Sequence, residues 1–226
     1  MQQAVKRKFK DQLFEQFARI GGALSNGHRI ELLDVLAQAE RSVEELAAET
    51  GLTIANASQH LQVLRRAGLV RTRREGTRIY YRLAGPEVFA LWQALRSAGE
   101  ARLAEIDRVV DSYLSDRAQM EVIGPAELRQ RLEAGEVTLV DVRPLVESRS
   151  GRIAGAIPIP VAELEARLGD LPHSRQIVAY CRGPYCVYAD EAVQLLQAHG
   201  FRAARLKSGF PDWRAAGLPV ELGTGG

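Results

Sequence analysis

The sequence predicts two domains: a mainly helical α+β module with a β-hairpin wing, then an α/β module built on a mainly parallel sheet. Three observations carry this. A chain of 226 residues exceeds one average domain, and two modest domains of about 100 residues each are the prior for that length. Between Ser42 and Leu83 a capped short helix, a glycine turn, a second helix and an alternating hairpin succeed one another, which is the pattern of a helix-turn-helix followed by a wing. From Pro125 onward short apolar strands alternate with helices, which implies a sheet covered on both faces, with its ligand site at the carboxyl ends of the strands.

Composition narrows the classes. Apolar residues make up 46% of the chain, ordinary for a soluble globular protein, and no run approaches the roughly 18 apolar residues that span a membrane. The basic start, Lys6, Arg7, Lys8 and Lys10, leads into no apolar segment or cleavage site, so no secretory signal is read. Two cysteines in such a chain point to a reducing cytoplasm and to thiols kept for reactivity. The net charge of +2 conceals a cluster in which Arg65, Arg66, Arg71, Arg73, Arg74, Arg78 and Arg82 stand against Glu75. A charge run is ordinarily a solvated face, but arginines on a hairpin beside a helix fit phosphate contact better.

In order along the chain, Phe9, Leu13, Phe17 and Ile20 form one apolar stripe on a helix that ends near Gly21-Gly22 and needs a partner. A second helix runs from His28 to Gln38. Ser42 caps a third, with Glu45 completing a capping box. Thr53 starts a fourth, whose apolar positions Ile54, Ala57, Leu61 and Leu64 lie on one side and whose end is Gly68. The opposite face holds Ala55, Asn56, Gln59 and Arg66, flanked by Ser58 and His60. Amides pair bidentately with adenine, while hydroxyls and arginines suit phosphates. The candidate DNA-binding residues are therefore Thr53, Asn56, Ser58, Gln59, His60 and Arg66, with Arg73, Arg74 and Arg78 on a hairpin that turns at Glu75-Gly76. His60 is read as a DNA-side residue and not a metal ligand, because no histidine or cysteine stands three or four residues after it. From Pro86 to Asp116 the spacing predicts one long helix, whose stripe either pairs with the first helix and with a second copy of the chain or packs across the C-terminal domain. Such a dimer presents two reading helices to a palindromic operator.

From about Ala18 to Tyr113 the chain resembles the ArsR-type winged-helix repressors. The resemblance rests on Ala57-Ser58-Gln59-His60-Leu61 and on Arg66-Ala67-Gly68-Leu69-Val70. It implies double-stranded DNA as partner. Ser42-Val43-Glu44-Glu45-Leu46 has no cysteine where the arsenic-sensing members place theirs, so no metal is expected.

In the second half the pattern gives a helix over Pro125–Glu133, strands over Val137–Val142 and Ile157–Ile159, a helix over Val161–Leu168, a strand over Ile177–Tyr180, a helix over Tyr188–His199 and a strand over Ala203–Leu206. The expected boundaries are 1–117 for the first module, 118–123 for a linker and 124–226 for the second. Cys181 opens the turn between a buried strand and a helix, so backbone amides and the helix start are expected to lower its pKa into roughly the 3.5 to 7.5 range and make it the nucleophile.

This half resembles the rhodanese domain. The matching residues are Leu139-Val140-Asp141-Val142-Arg143, then Glu147 and Gly151, Ile153 to Pro160, Cys181-Arg182-Gly183, Gly209-Phe210-Pro211-Asp212-Trp213 and Gly217-Leu218-Pro219-Val220. Ser148 stands where an aromatic residue is usual, Arg152 where a histidine is usual, and the loop closes on Cys186. The resemblance implies that Cys181 takes sulfane sulfur from a donor such as thiosulfate or a persulfide and holds it as a persulfide. The amides from Arg182 through Gly183, Pro184 and Tyr185 to Cys186 form the surrounding loop, and Arg182 attracts an anionic donor. Cysteine phosphatases need an arginine where this chain has Val187, which argues against their chemistry. Cys186 either resolves the persulfide into a bridge or is a passive thiol. Asp141, Arg143 and Trp213 are read as structural.

Two functions follow as expectations. One is a dimeric, cytoplasmic repressor that senses reactive sulfur through Cys181, with no cofactor and no membrane partner. The other is a rhodanese-type sulfurtransferase tethered to a repressor that responds to a different signal.

Overall fold

The computed structural model describes residues 2–114, 117 and 119–223. The chain folds as two compact units, Met1–Leu95 and Arg96–Gly226.

In the first unit α1 (Gln2–Leu24), α2 (Gly27–Gln38), α3 (Val43–Glu49) and α4 (Ile54–Arg66) precede a three-stranded sheet. Its strands are β1 (Arg41–Ser42), β2 (Val70–Glu75) and β3 (Arg78–Leu83), in the antiparallel order β1-β3-β2. The helix starts are written in the local chemistry. The Ser42 hydroxyl accepts from the Glu45 amide at 3.3 Å while the Glu45 carboxylate accepts from the Ser42 amide at 2.7 Å, and Thr53 accepts from the Asn56 amide at 3.2 Å. Each such cap is worth about 1 kcal/mol. Leu32, Leu33, Leu46, Leu61 and Leu64 are fully buried together, at about 2 kcal/mol per leucine, and they fix α4 against α2 and α3.

Two expectations need correction here, and one residue of the α4 stripe lies outside the core. α1 continues past Gly21-Gly22 because glycine weakens a helix without stopping it, and the Arg29 guanidinium caps its last turn by donating to the carbonyls of Gly22 and Ala23. Ile54 is 55% exposed, since it occupies the first turn of α4, beyond the edge of the core. The helix expected over 86–116 is two helices among the described residues, α5 (Pro86–Arg102) and α6 (Ala104–Tyr113), separated by an extended Leu103. Gly99 permits the break: a Cβ there would lie 3.0 Å from the Ile106 side chain, so the missing methyl is the space Ile106 uses.

The second unit contains α6, β4 (Val122–Ile123), α7 (Pro125–Glu133), β5 (Val137–Asp141), α8 (Leu145–Ser150), β6 (Gly151–Ile153) and β7 (Ile157–Pro158). It continues with α9 (Val161–Leu164), a 3-10 turn over Glu165–Asp170, β8 (Gln176–Tyr180), α10 (Tyr188–Ala198), β9 (Ala203–Leu206), α11 (Phe210–Ala215) and β10 (Val220–Leu222). Every neighbour in the five-stranded sheet β4-β9-β8-β5-β7 is parallel. β4 lies inside the stretch read as linker, and β6 and β10 add a small antiparallel ribbon. Along β8 the side chains alternate, with Ile177, Ala179 and Cys181 in one core cluster and Val178 and Tyr180 in the other. That alternation delivers Cys181, the residue after β8, to the face shared with α10.

Candidate functional site: a two-thiol loop at the sheet edge

The loop from Cys181 to Val187 joins the carboxyl end of β8 to α10. Its base is fixed from three sides. Phe210 N–H donates to the Cys181 carbonyl at 3.2 Å. Gly209 must be glycine, because a Cβ there would lie 2.0 Å from the Arg182 carbonyl oxygen. Beneath lies a buried polar cluster in which Asp141 accepts from Arg143 Nη2 at 2.6 Å and from the Tyr180 hydroxyl at 2.7 Å, and Tyr180 in turn accepts from Ile153 N–H at 3.0 Å. Trp213 is buried and donates to the Pro219 carbonyl at 2.9 Å. Tyr180, Phe210 and Trp213 belong to one core cluster and Cys181 to the other.

Both cysteines are free thiols. Cys181 is 2% exposed and Cys186 is half-buried. The expectation of an acidic Cys181 is corrected by this burial: desolvation pushes its thiol well up, as does its hydrogen bond to Cys186, while the amides of Gly183 and Ala189 oppose the shift. The acidic thiol is Cys186, held down to about 7 by the hydrogen bond from Cys181 and by the amides of Arg182 and Tyr188. Burial of Cys181 and the amides facing the less buried Cys186 both favour charge on Cys186. The Cys181 thiol also faces the carbonyls of Gly183 at 3.8 Å and Cys186 at 3.6 Å.

Arg182 does not stand free for a donor. Its Nη2 lies 2.6 Å from Glu147 Oε1 and its Nε 3.1 Å from Oε2, with Glu147 fully buried, and its guanidinium lies over the Tyr188 ring. Gly183 and Pro184 are half-buried, and Tyr185 is exposed with its hydroxyl donating to Glu100 of α5 at 2.6 Å. On the same side Arg96 of α5 bonds Asp212 at 2.6 Å. Arg117 donates to the carbonyls of Pro184 and Cys186 and pairs with Asp190 of α10. None of these long-range partners has a local sequence signal, and for that reason the sequence does not single out Arg117 as a site residue.

In the first unit Asn56, Gln59 and Arg66 are exposed on α4, Ser58 and His60 are half-buried, and Thr53 is the helix cap. The His60 ring lies 5.7 Å from that of His28, and burial, then Arg29 and His28, lowers its pKa. Arg73, Arg74 and Arg78 are exposed on the hairpin, with Arg73 tied to Glu40 and Glu75 at 2.6 Å each. Among the described residues no cluster of three or more His, Cys, Asp or Glu could hold a metal, and no helix is long and apolar enough to cross a membrane.

The two halves match separate family models: a helix-turn-helix domain over residues 24–73 and a rhodanese-like domain over residues 124–216. The HTH-type transcriptional regulator Rv0324 of Mycobacterium tuberculosis is 49% identical over 214 residues, spanning 95% of this chain and 94% of that protein. A sulfurtransferase of Allochromatium vinosum is 33% identical over 99 residues, 43% of this chain and 92% of that protein. Among solved structures, the homodimeric winged helix-turn-helix DNA-binding domain (fragment 1–100) of a possible ArsR-family regulator from Mycobacterium bovis is 48% identical and covers 42% of this chain and 87% of that one, with a TM-score of 0.40. The similarity at 49% identity extends through both units.

Proposed function

Because the chain belongs to the ArsR-type winged helix-turn-helix transcriptional regulators and carries a C-terminal rhodanese-like domain, we propose that it is a repressor whose two-thiol loop accepts sulfane sulfur and thereby sets its affinity for DNA. The observation that carries this reading is the hydrogen-bonded pair Cys181 and Cys186, with one thiol poised near neutrality.

Cys181 is the acceptor in this reading, and Cys186 is its base. A base with a pKa near the working pH removes a proton efficiently, and the more basic Cys181 sulfur is the stronger nucleophile once bared. The Cys186 thiolate takes the Cys181 proton as the Cys181 sulfur attacks the outer sulfur of thiosulfate. A new S–S bond forms, the bond to the sulfonate sulfur breaks, and sulfite leaves with its electron pair. The persulfide anion rests against the amides of Gly183 and Ala189. Cys186 then attacks the Cys181 sulfur while its own proton passes to the outer persulfide sulfur; the bond between the Cys181 sulfur and the outer sulfur breaks, hydrosulfide leaves with the electron pair, and a disulfide closes.

On the DNA side, α4 presents Asn56, Gln59 and Arg66 for a major groove, and the hairpin offers Arg74 and Arg78 to phosphates. Phe9 and Phe17 are 62% and 59% exposed on α1. An apolar face of that kind supports pairing with a second copy, and so a palindromic operator. Regulation requires contacts that differ between the loop's states, and Tyr185–Glu100 is a contact between the loop and α5. Peptide mapping by mass spectrometry after exposure to thiosulfate or a polysulfide tests the chemistry. Added sulfur on the Cys181 peptide, or a Cys181–Cys186 bridge, is expected; an unmodified loop at saturating donor contradicts it.

A further inference from the structure

We infer that Arg117, which lies before the matched rhodanese-like region, is a positioning residue of the cysteine loop: its guanidinium clamps two loop carbonyls and the first turn of α10 at once, and so sets where the two thiols stand. Arg117 Nε donates to Asp190 Oδ2 at 2.6 Å, its Nη1 donates to the Pro184 carbonyl, and its Nη2 donates to the Cys186 carbonyl at 3.0 Å. The side chain is largely buried. Arg205 of β9 completes the clamp from the sheet side, 3.2 Å from Asp190 Oδ1 and 3.4 Å from the Pro184 carbonyl.

The physical consequence follows from peptide planarity. A peptide unit is rigid, so holding a carbonyl fixes the amide on its other side. Pinning the Pro184 and Cys186 carbonyls sets the chain on both sides of Cys186, and Asp190 fixes the start of α10, whose Tyr188 and Ala189 amides face the two sulfurs. Only a planar guanidinium supplies donors in the fork that three acceptors on two segments require. A lysine ammonium reaches one or two of them. The loop is thus completed by a residue outside the rhodanese-like match, so the rhodanese-like region alone lacks part of its own scaffold.

The role rests on the proposed reactivity of the pair, but its test is independent of sulfur donors. In the full chain, the pH dependence of alkylation of Cys186 and Cys181 by iodoacetamide, read by peptide mass spectrometry, reports the thiolate directly. Arg117→Ala is expected to move the Cys186 midpoint upward by about one pH unit, which is roughly tenfold less thiolate at neutrality. Millimolar guanidinium is expected to restore part of the shift. Arg117→Lys, which keeps the charge and a bond to Asp190 and so preserves folding, is expected to move the midpoint in the same direction by less. A wild-type profile in either folded variant overturns the assignment, as does lowered thermal stability in both with unmoved profiles. If wild-type protein fails to load sulfur while the alkylation profiles shift as stated, the sulfur reading fails and the positioning role stands.

Discussion

The Cys181 thiol is hydrogen-bonded to Cys186, and the pair divides its chemistry unequally: burial raises the first while its partner is held at about 7. A thiolate on Cys186 accumulates as pH rises through that value, whereas an unperturbed thiol ionises near 8.5. Sulfur loading should therefore climb between about pH 6 and 8 and then level. In Cys186→Ser the base is lost, so the rise should shift to more alkaline pH and loading near neutrality should fall roughly tenfold or more. Initial rates of sulfite release from thiosulfate across pH check this.

Arg182 is already neutralised by Glu147, so the loop owes the pair its shape more than any attraction for anions. Glu147→Gln leaves a mostly buried guanidinium without its counter-charge, at a cost of about 3 kcal/mol. Urea unfolding followed by fluorescence should show an earlier transition for the second unit. If its midpoint matches wild type, the buried pair carries no such weight.

Asp141 gathers Arg143 and the Tyr180 hydroxyl beneath the loop, and Tyr180 is kept protonated, and so able to donate, by burial and then by the Asp141 charge. Asp141→Asn should destabilise the fold by several kcal/mol, of the order found for a broken buried pair, yet leave the pH midpoint of Cys186 alkylation in the surviving folded protein where it was. A moved midpoint would give Asp141 a role in the chemistry that its placement does not support.

The wing arginines are not equivalent. Arg73 is bound to two carboxylates, while Arg74 donates to the Gly76 carbonyl at 3.1 Å and keeps its charge unpaired by that bond. In gel shifts over a series of salt concentrations, Arg74→Ala should reduce the slope of log affinity against log salt by about 0.9, the loss of one phosphate contact. Arg73→Ala should change it less. Equal effects would mean that Arg73 exchanges its carboxylates for phosphate on binding.

Most of the fold was legible because its elements announce themselves locally. The Ser42 capping box, the Thr53 cap, Pro125 opening α7 and the apolar runs of β5 and β8 are signals within a few residues, and all stand where the pattern put them. What was not legible is set by distance. The two-residue strands β1 and β4 exist through their neighbours, and the break at Leu103 depends on Ile106 packing over Gly99. At the site, the strand-to-helix turn pointed to Cys181, but the balance of acidity was not readable. It depends on how deeply Cys181 is buried and on which amides face Cys186, and both are consequences of the α10 and α11 packing.

In the proposed function, sulfur on this loop controls DNA binding. A gel-shift titration of the full chain on its operator, with and without polysulfide, for wild type and Cys181→Ser, measures it directly. Wild-type protein should lose DNA affinity by tenfold or more when loaded, and Cys181→Ser should bind equally tightly with and without the donor. Release of Cys181→Ser by polysulfide, or a loaded wild-type protein with unchanged affinity, would contradict it and leave a sulfurtransferase joined to a regulator of another signal.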